Sequence, residues 1–143
     1  MTSNSGFAPY LISLALLLFG CAAVEIDSAA SAHSKAAQSV QLGDSKAQVL
    51  ALLLPTQANV PAKYTKEPDR FMTDGKKTEI YYMRSSRQPD GLTTDDEFTP
   101  YVFRDDVLVG VGWAALGGPK TQGQVVQPAP VTNIKIEQNV DHY

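Results

Sequence analysis

The chain has 143 residues, 43% of them hydrophobic and 19% charged, which fits one small globular domain and excludes a chain that is disordered throughout. A formal net charge of -3 argues against a general nucleic-acid binder, which needs a basic face to displace counterions from phosphates. With one cysteine, no intrachain disulfide can form and a zinc site built on several thiolates is excluded.

Every Lys, Arg, Asp and Glu lies at or after Glu25, so the N-terminal segment is a separate object. Residues 11–19 form an apolar run with the length of a secretory h-region, too short to span a bilayer. Directly after it, Leu18-Phe19-Gly20-Cys21 resembles the bacterial lipobox. The resemblance implies a signal peptide over residues 1–20, cleavage before Cys21 and thioether attachment of diacylglycerol, with N-acylation of the new terminus. Several acyl chains at roughly 0.8 kcal/mol per buried methylene would make a permanent anchor. Ala22, Ala23 and Val24 follow with no Asp at the second mature position, which under the family sorting rule implies the periplasmic face of the outer membrane in a Gram-negative cell. The other readings are an ordinary signal peptide cut near Ala22 or Ala23, and an uncleaved stretch with a buried cysteine.

Residues 21–39 are rich in Ala and Ser and read as a tether between lipid and domain, with His33 solvated in it. The domain is expected over residues 40–117. Ser45 followed three residues later by Gln48 is a capping box, and it predicts a helix over residues 46–54 that Pro55 stops. Val49, Leu52 and Leu53 share one face of that helix, widened by Leu50 and Leu54. Three prolines within residues 55–68 make that stretch loop.

Asp74-Gly75 between residues 70–73 and 78–84 predicts a hairpin, and residues 99–104 and 107–114 predict a second around Asp105-Asp106. Alternation puts Tyr101 and Phe103 on one face, and Gly110 and Gly112 suggest a bulge or a close contact where the helix lies. The expectation is an α+β fold: one or two helices on a three-stranded antiparallel meander. Residues 118–143 read as a mostly disordered tail in which only 132–140 could form a strand.

Leu42-Gly43-Asp44-Ser45-Lys46-Ala47-Gln48-Val49-Leu50, before a meander in a lipoprotein, resembles the helix signature of the SmpA/OmlA (BamE-like) outer-membrane lipoproteins. It departs from them at Leu53-Leu54-Pro55-Thr56. Tyr82-x-Arg84, the segment from Asp90-Gly91-Leu92 through Thr99-Pro100, Phe103 and Leu108-Val109-Gly110 look like an uncharacterised group of proteobacterial lipoproteins distantly akin to that fold. The resemblance implies an envelope role in outer-membrane assembly or integrity.

No nucleophile paired with a base is evident, since Cys21 would be acylated and the two histidines lie in the tether and the tail. The carboxylates of residues 90–97 do not have the spacing of a calcium loop. No cofactor and no metal is expected, and the domain should act by binding, not catalysis. The candidate contact surface is the polar loop of residues 87–97 with its flanks: Tyr82, Arg84, Arg87, Asp90, Thr93, Thr94, Asp95, Glu97 and Tyr101. An architectural reading stands beside it, in which Thr93, Thr94 and Asp95 close the loop and the aromatics fill the core. The partner is an envelope or outer-membrane protein; the alternative is a soluble-ligand or inhibitor-type binding module of the periplasm.

Overall fold

The computed structural model describes residues 13–123, with side chains from Cys21 onward. Residues 1–12 of the expected signal peptide, and residues 124–143 with the strand expected at 132–140, lie outside the described residues. The order is α1 (Ser13–Ala37), α2 (Lys46–Leu53), β1 (Asp69–Thr73), β2 (Lys76–Arg84), β3 (Phe98–Arg104) and β4 (Val107–Val111). Short 3-10 turns lie at Leu54–Gln57, Ala62–Tyr64, Asp95–Glu97 and Trp113–Leu116. The strands form one antiparallel sheet in the order β1-β2-β3-β4, so the class is α+β as expected, with four strands in place of three.

The stretch expected to be a tether is instead part of α1, and it packs on α2, on β2 and on the turn at Leu54–Gln57. Alanine has the highest helix propensity, and a stripe of Ile26, Ala29 and His33 at helical spacing is buried against the rest of the fold. Small side chains let the helix come close to its neighbours, so few large apolar residues are needed to bury it. His33 is correspondingly buried and not solvated: its Nε2 lies 2.9 Å from the Tyr101 hydroxyl.

The capping box forms as expected, with the Ser45 hydroxyl accepting from Gln48 N–H and the Gln48 side chain accepting from Ser45 N–H. Residues leading into α2 also pair with the start of β4: Gly43 N–H donates to Leu108 O at 2.8 Å, Leu108 N–H to Asp44 O at 2.9 Å, and Lys46 N–H to Asp106 O at 2.8 Å. The cap is thereby fastened to the sheet edge. Val49 and Leu53 are fully buried, but Leu52 is 42% exposed, contrary to expectation. α2 ends at Leu53, just before Pro55, and Pro55 sits at the start of a 3-10 turn that follows, where a missing N–H costs nothing.

Asp74 and Gly75 both take positive φ, as the tight turn between β1 and β2 requires. Asp105 and Asp106 do the same between β3 and β4, and Asp105 offsets part of that strain by accepting from Lys77 N–H at 3.0 Å. Val102 faces Gly110 while Phe103 faces Leu108, so Val109 is the extra residue of a β-bulge. The close contact at Gly110 is with the Trp113–Leu116 turn and not with a helix: a Cβ there would lie 2.8 Å from Ala115 Cβ. Tyr101 and Phe103 do share a face, where they join Val49, Leu53, Met83 and Leu108 in the main core. A smaller cluster of Ile26, Ala29 and Val60, with Tyr64 against it, lies under α1.

Candidate functional site

The loop after β2 is organised around one carboxylate. Glu97 is fully buried; its Oε1 accepts from Arg84 Nη2 at 2.8 Å and Gln88 N–H at 2.6 Å, and its Oε2 from Thr94 N–H at 2.9 Å. Thr94 and Glu97 form a second capping box, over the turn at Asp95–Glu97. Arg84 is 2% exposed; its Nε donates to Ser86 O at 3.0 Å, and its guanidinium lies 5.1 Å from the Phe98 ring centroid. A buried ion pair is tolerated only when its remaining polar atoms are satisfied, as these are. Burial pulls the Arg84 guanidinium below its ordinary value, and the Glu97 charge pulls it back.

Asp95 and Asp96 turn the other way and hold the chain that follows Gly118. The Asp95 carboxylate accepts from Lys66 Nζ, from Lys120 N–H at 3.1 Å and from Thr121 N–H at 3.3 Å. Burial raises the Asp95 carboxyl, but the Lys66 ammonium and the two backbone donors outweigh it and hold the group below its ordinary value. Asp96 accepts from Gly123 N–H at 3.0 Å and from the Thr94 hydroxyl. Residues 118–123, expected in the tail, are thus tied to the domain.

Tyr82 stacks on Trp113 with ring centroids 5.7 Å apart, Lys66 Nζ lies 4.5 Å from its centroid, and its hydroxyl donates to Asp69 at 2.7 Å. Burial, with the Asp69 charge, raises its phenol above the ordinary range. Burial likewise pushes the Tyr101 hydroxyl up to about 12. Arg84, Asp95, Glu97 and Tyr101 are therefore enclosed within the fold, and Thr94 is committed to its cap. The architectural reading accounts for these five.

Arg87 and Thr93 stand at the surface, and Asp90 is half-buried. Arg87 makes a bidentate pair with Asp27 of α1, both nitrogens 3.0 Å from the carboxylate oxygens, which lowers the Asp27 carboxyl. Asp90 accepts from Leu92 N–H at 2.9 Å, closing a turn in which Gly91 takes φ 76° and Leu92 is left 47% exposed. Between this turn and the helix lies a groove of about 230 Å³, lined by Ala22, Ala23 and Ile26 on one side, by Pro89, Gly91 and Leu92 on the other, and floored by Tyr64, Arg84 and Arg87. Asp27 and Leu92 were not singled out in the sequence. Asp90-Gly91 before an apolar residue was the signal for Leu92, whereas nothing local marks Asp27 as the partner of a residue sixty positions away.

Elsewhere the buried Glu79 carboxylate gathers Lys46 at 2.6 Å, Lys77 at 3.2 Å and Arg70 at 3.2 Å, and Lys46 also reaches Asp106 at 2.6 Å. The Lys46 ammonium, followed by Lys77, holds Glu79 below its ordinary value. This cluster joins the start of α2 to both hairpin turns. Among the described residues, no group of three or more His, Cys, Asp or Glu side chains could hold a metal ion. No helix among them is long and apolar enough to cross a membrane.

The arrangement defines a small α+β domain of two helices on an antiparallel four-stranded meander, with its polar loop braced from within. The sequence model of a family described as Protein of unknown function (DUF3192) matches residues 23–117, about two thirds of the chain, and the chain belongs to that family. No curated protein and no solved structure matches it.

Proposed function

We propose that the protein is a lipid-anchored, non-enzymatic interaction module of the bacterial envelope, held on a membrane through acyl chains on Cys21. The observation that carries the reading is where the family match begins: residue 23, two positions after the cysteine of Leu18-Phe19-Gly20-Cys21. The matched region therefore begins close to where the chain would begin if it were cut before Cys21. Among the described side chains, the buried stripe of α1 begins at Ile26, so the packing of Ile26, Ala29 and His33 lies within what such a cut would leave.

Binding is favoured over catalysis because the polar groups of the 85–97 loop are spent on one another. Glu97 pairs with Arg84, Asp95 holds Lys66 and the backbone of Lys120 and Thr121, and His33 is paired with Tyr101. The surface that a partner would meet is the loop's outer side, with exposed Arg87, Leu92 and Thr93 and half-buried Asp90. Support of outer-membrane assembly or integrity, implied by the likeness to SmpA/OmlA lipoproteins, belongs to the same reading.

The test is a Cys21→Ser variant in cells fed radiolabelled palmitate, with fractionation. Label and membrane retention should both be lost, and retention of both refutes the anchor. Crosslinking of the native envelope with wild type and with Asp90→Asn, Thr93→Ala then addresses the partner: a loop that binds loses its crosslinks while the domain stays folded.

A further inference from the structure

We infer that one end of the domain, formed by the first turns of α1 after Cys21 and the turn at residues 88–92, lies directly against the lipid surface, with Leu92 reaching into it. The inference rests on the lipid-anchored reading, and it says how the anchored domain is oriented.

The first step is a length. Cys21 and the buried Ile26 are five residues apart on one continuous helix, a rise of about 7.5 Å, where an unstructured tether of residues 21–39 would have allowed a separation of several nanometres. A lipid on Cys21 therefore brings the domain to the bilayer, with no spacer between them. The second step is which surface arrives there. Ala22, Ala23 and Ile26 share a groove with Pro89, Gly91 and Leu92, so the 88–92 turn is the part of the sheet layer beside the cysteine.

That turn is fixed in place. The bidentate pair of Arg87 with Asp27 fastens it to α1, and Gln88 N–H is held by Glu97. The Asp90 turn then presents Leu92 outward, 47% exposed, and Val24 of α1 is 68% exposed. One leucine would be a poor membrane ligand by itself. With the anchor a few ångströms away, its insertion is an intramolecular step, so a weak contact suffices to set orientation.

The opposite end of the sheet is remote from the anchor site. Lys76 and Arg84 are the ends of β2, separated by about 27 Å of extended chain. Around Lys76 stand Asp74, Lys77, Asp105 and Asp106, all of them charged. The molecule thus has an end with the anchor site and an exposed leucine, and a distant end of charged turns flanked by exposed Phe71, Met72 and Val107, which the anchor's position keeps from the bilayer.

The experiment uses the full chain matured in cells and reconstituted into vesicles of phosphatidylethanolamine and phosphatidylglycerol that contain a spin-labelled quencher lipid. Acylated Cys21 has no thiol left, so a fluorophore is placed on Leu92→Cys or, as the distant control, on Lys76→Cys. The expected result is quenching at position 92 at least about twofold stronger than at position 76, because only the former lies within the ~5–10 Å headgroup boundary. Equal or absent quenching at the two positions, in protein that floats with the vesicles and carries the lipid mass, overturns the orientation and leaves the anchor standing. Protein that fails to float and whose wild-type chain is labelled at Cys21 refutes the anchor, and the orientation falls with it.

Discussion

His33 on α1 and Tyr101 on β3 meet edge to face inside the protein, their rings at 76° and His33 Nε2 2.9 Å from the Tyr101 hydroxyl. Burial holds the His33 imidazole below its ordinary value, so the folded protein keeps it neutral. In the unfolded chain the same group takes up a proton near pH 6.5. The contribution is therefore complete above about pH 6.5 and is lost as the pH falls below it towards the folded value, since the unfolded state binds the proton first. Urea midpoints between pH 8 and 5.5 should fall more steeply for wild type than for His33→Gln. Parallel curves would show that His33 is not the titrating group.

Removing one member of the buried Arg84 and Glu97 pair should be severe. Glu97→Ala leaves the guanidinium without its counter-charge and strips Gln88 and Thr94 of an acceptor, at an expected cost of about 3–5 kcal/mol. The double change Arg84→Met with Glu97→Leu should be less damaging than either single change, because no uncompensated charge remains. Thermal or urea unfolding measures all of them, and a Glu97→Ala loss below about 1 kcal/mol would contradict the account.

The two adjacent leucines of α2 should behave oppositely. Leu53 is fully buried in the main core and its change to Ala should cost about 2–5 kcal/mol. Leu52, 42% exposed, should lose no more than about 1 kcal/mol. Equal losses in denaturant titrations would place the helix on a different face.

Gly110→Ala puts a methyl 2.8 Å from Ala115 Cβ, between strand and turn, and should cost about 1–3 kcal/mol. Ala115→Gly removes the obstructing methyl, so the pair should be more stable than the sum of the single changes predicts. Additive effects would mean that the turn yields freely.

Local signals in the sequence were reliable where one short-range interaction decides the geometry. The Ser45 and Gln48 cap, the Asp74-Gly75 turn and the Asp105-Asp106 turn all lie where the residue types put them. The first helix was not legible as a packed element, because a buried stripe built on Ala29, Ala36 and a histidine does not register as apolar. Its spacing was nevertheless present: Ile26, Ala29, His33 and Ala36 recur at intervals of three or four. Leu52 was misplaced because four large apolar residues on so short a helix leave its orientation open, and long-range packing chose Val49 and Leu53. Of the loop, Thr94 and Glu97 carried a readable capping box, but that Arg84 would bury itself against Glu97 depends on a strand pairing no local pattern encodes.

The contacts that hold α1 impose an order of assembly. Asp27 finds Arg87, and His33 finds Tyr101, across separations of 60 and 68 positions. A helix synthesised early can meet α2 and the turn at Leu54–Gln57 first, but its polar partners Arg87 and Tyr101 come later, and closing so long a segment is the slow kind of step in a small domain. Until β3 is made, α1 lacks the hydroxyl that pairs with His33, so the docking of the first helix is completed only when the middle of the sheet is in place.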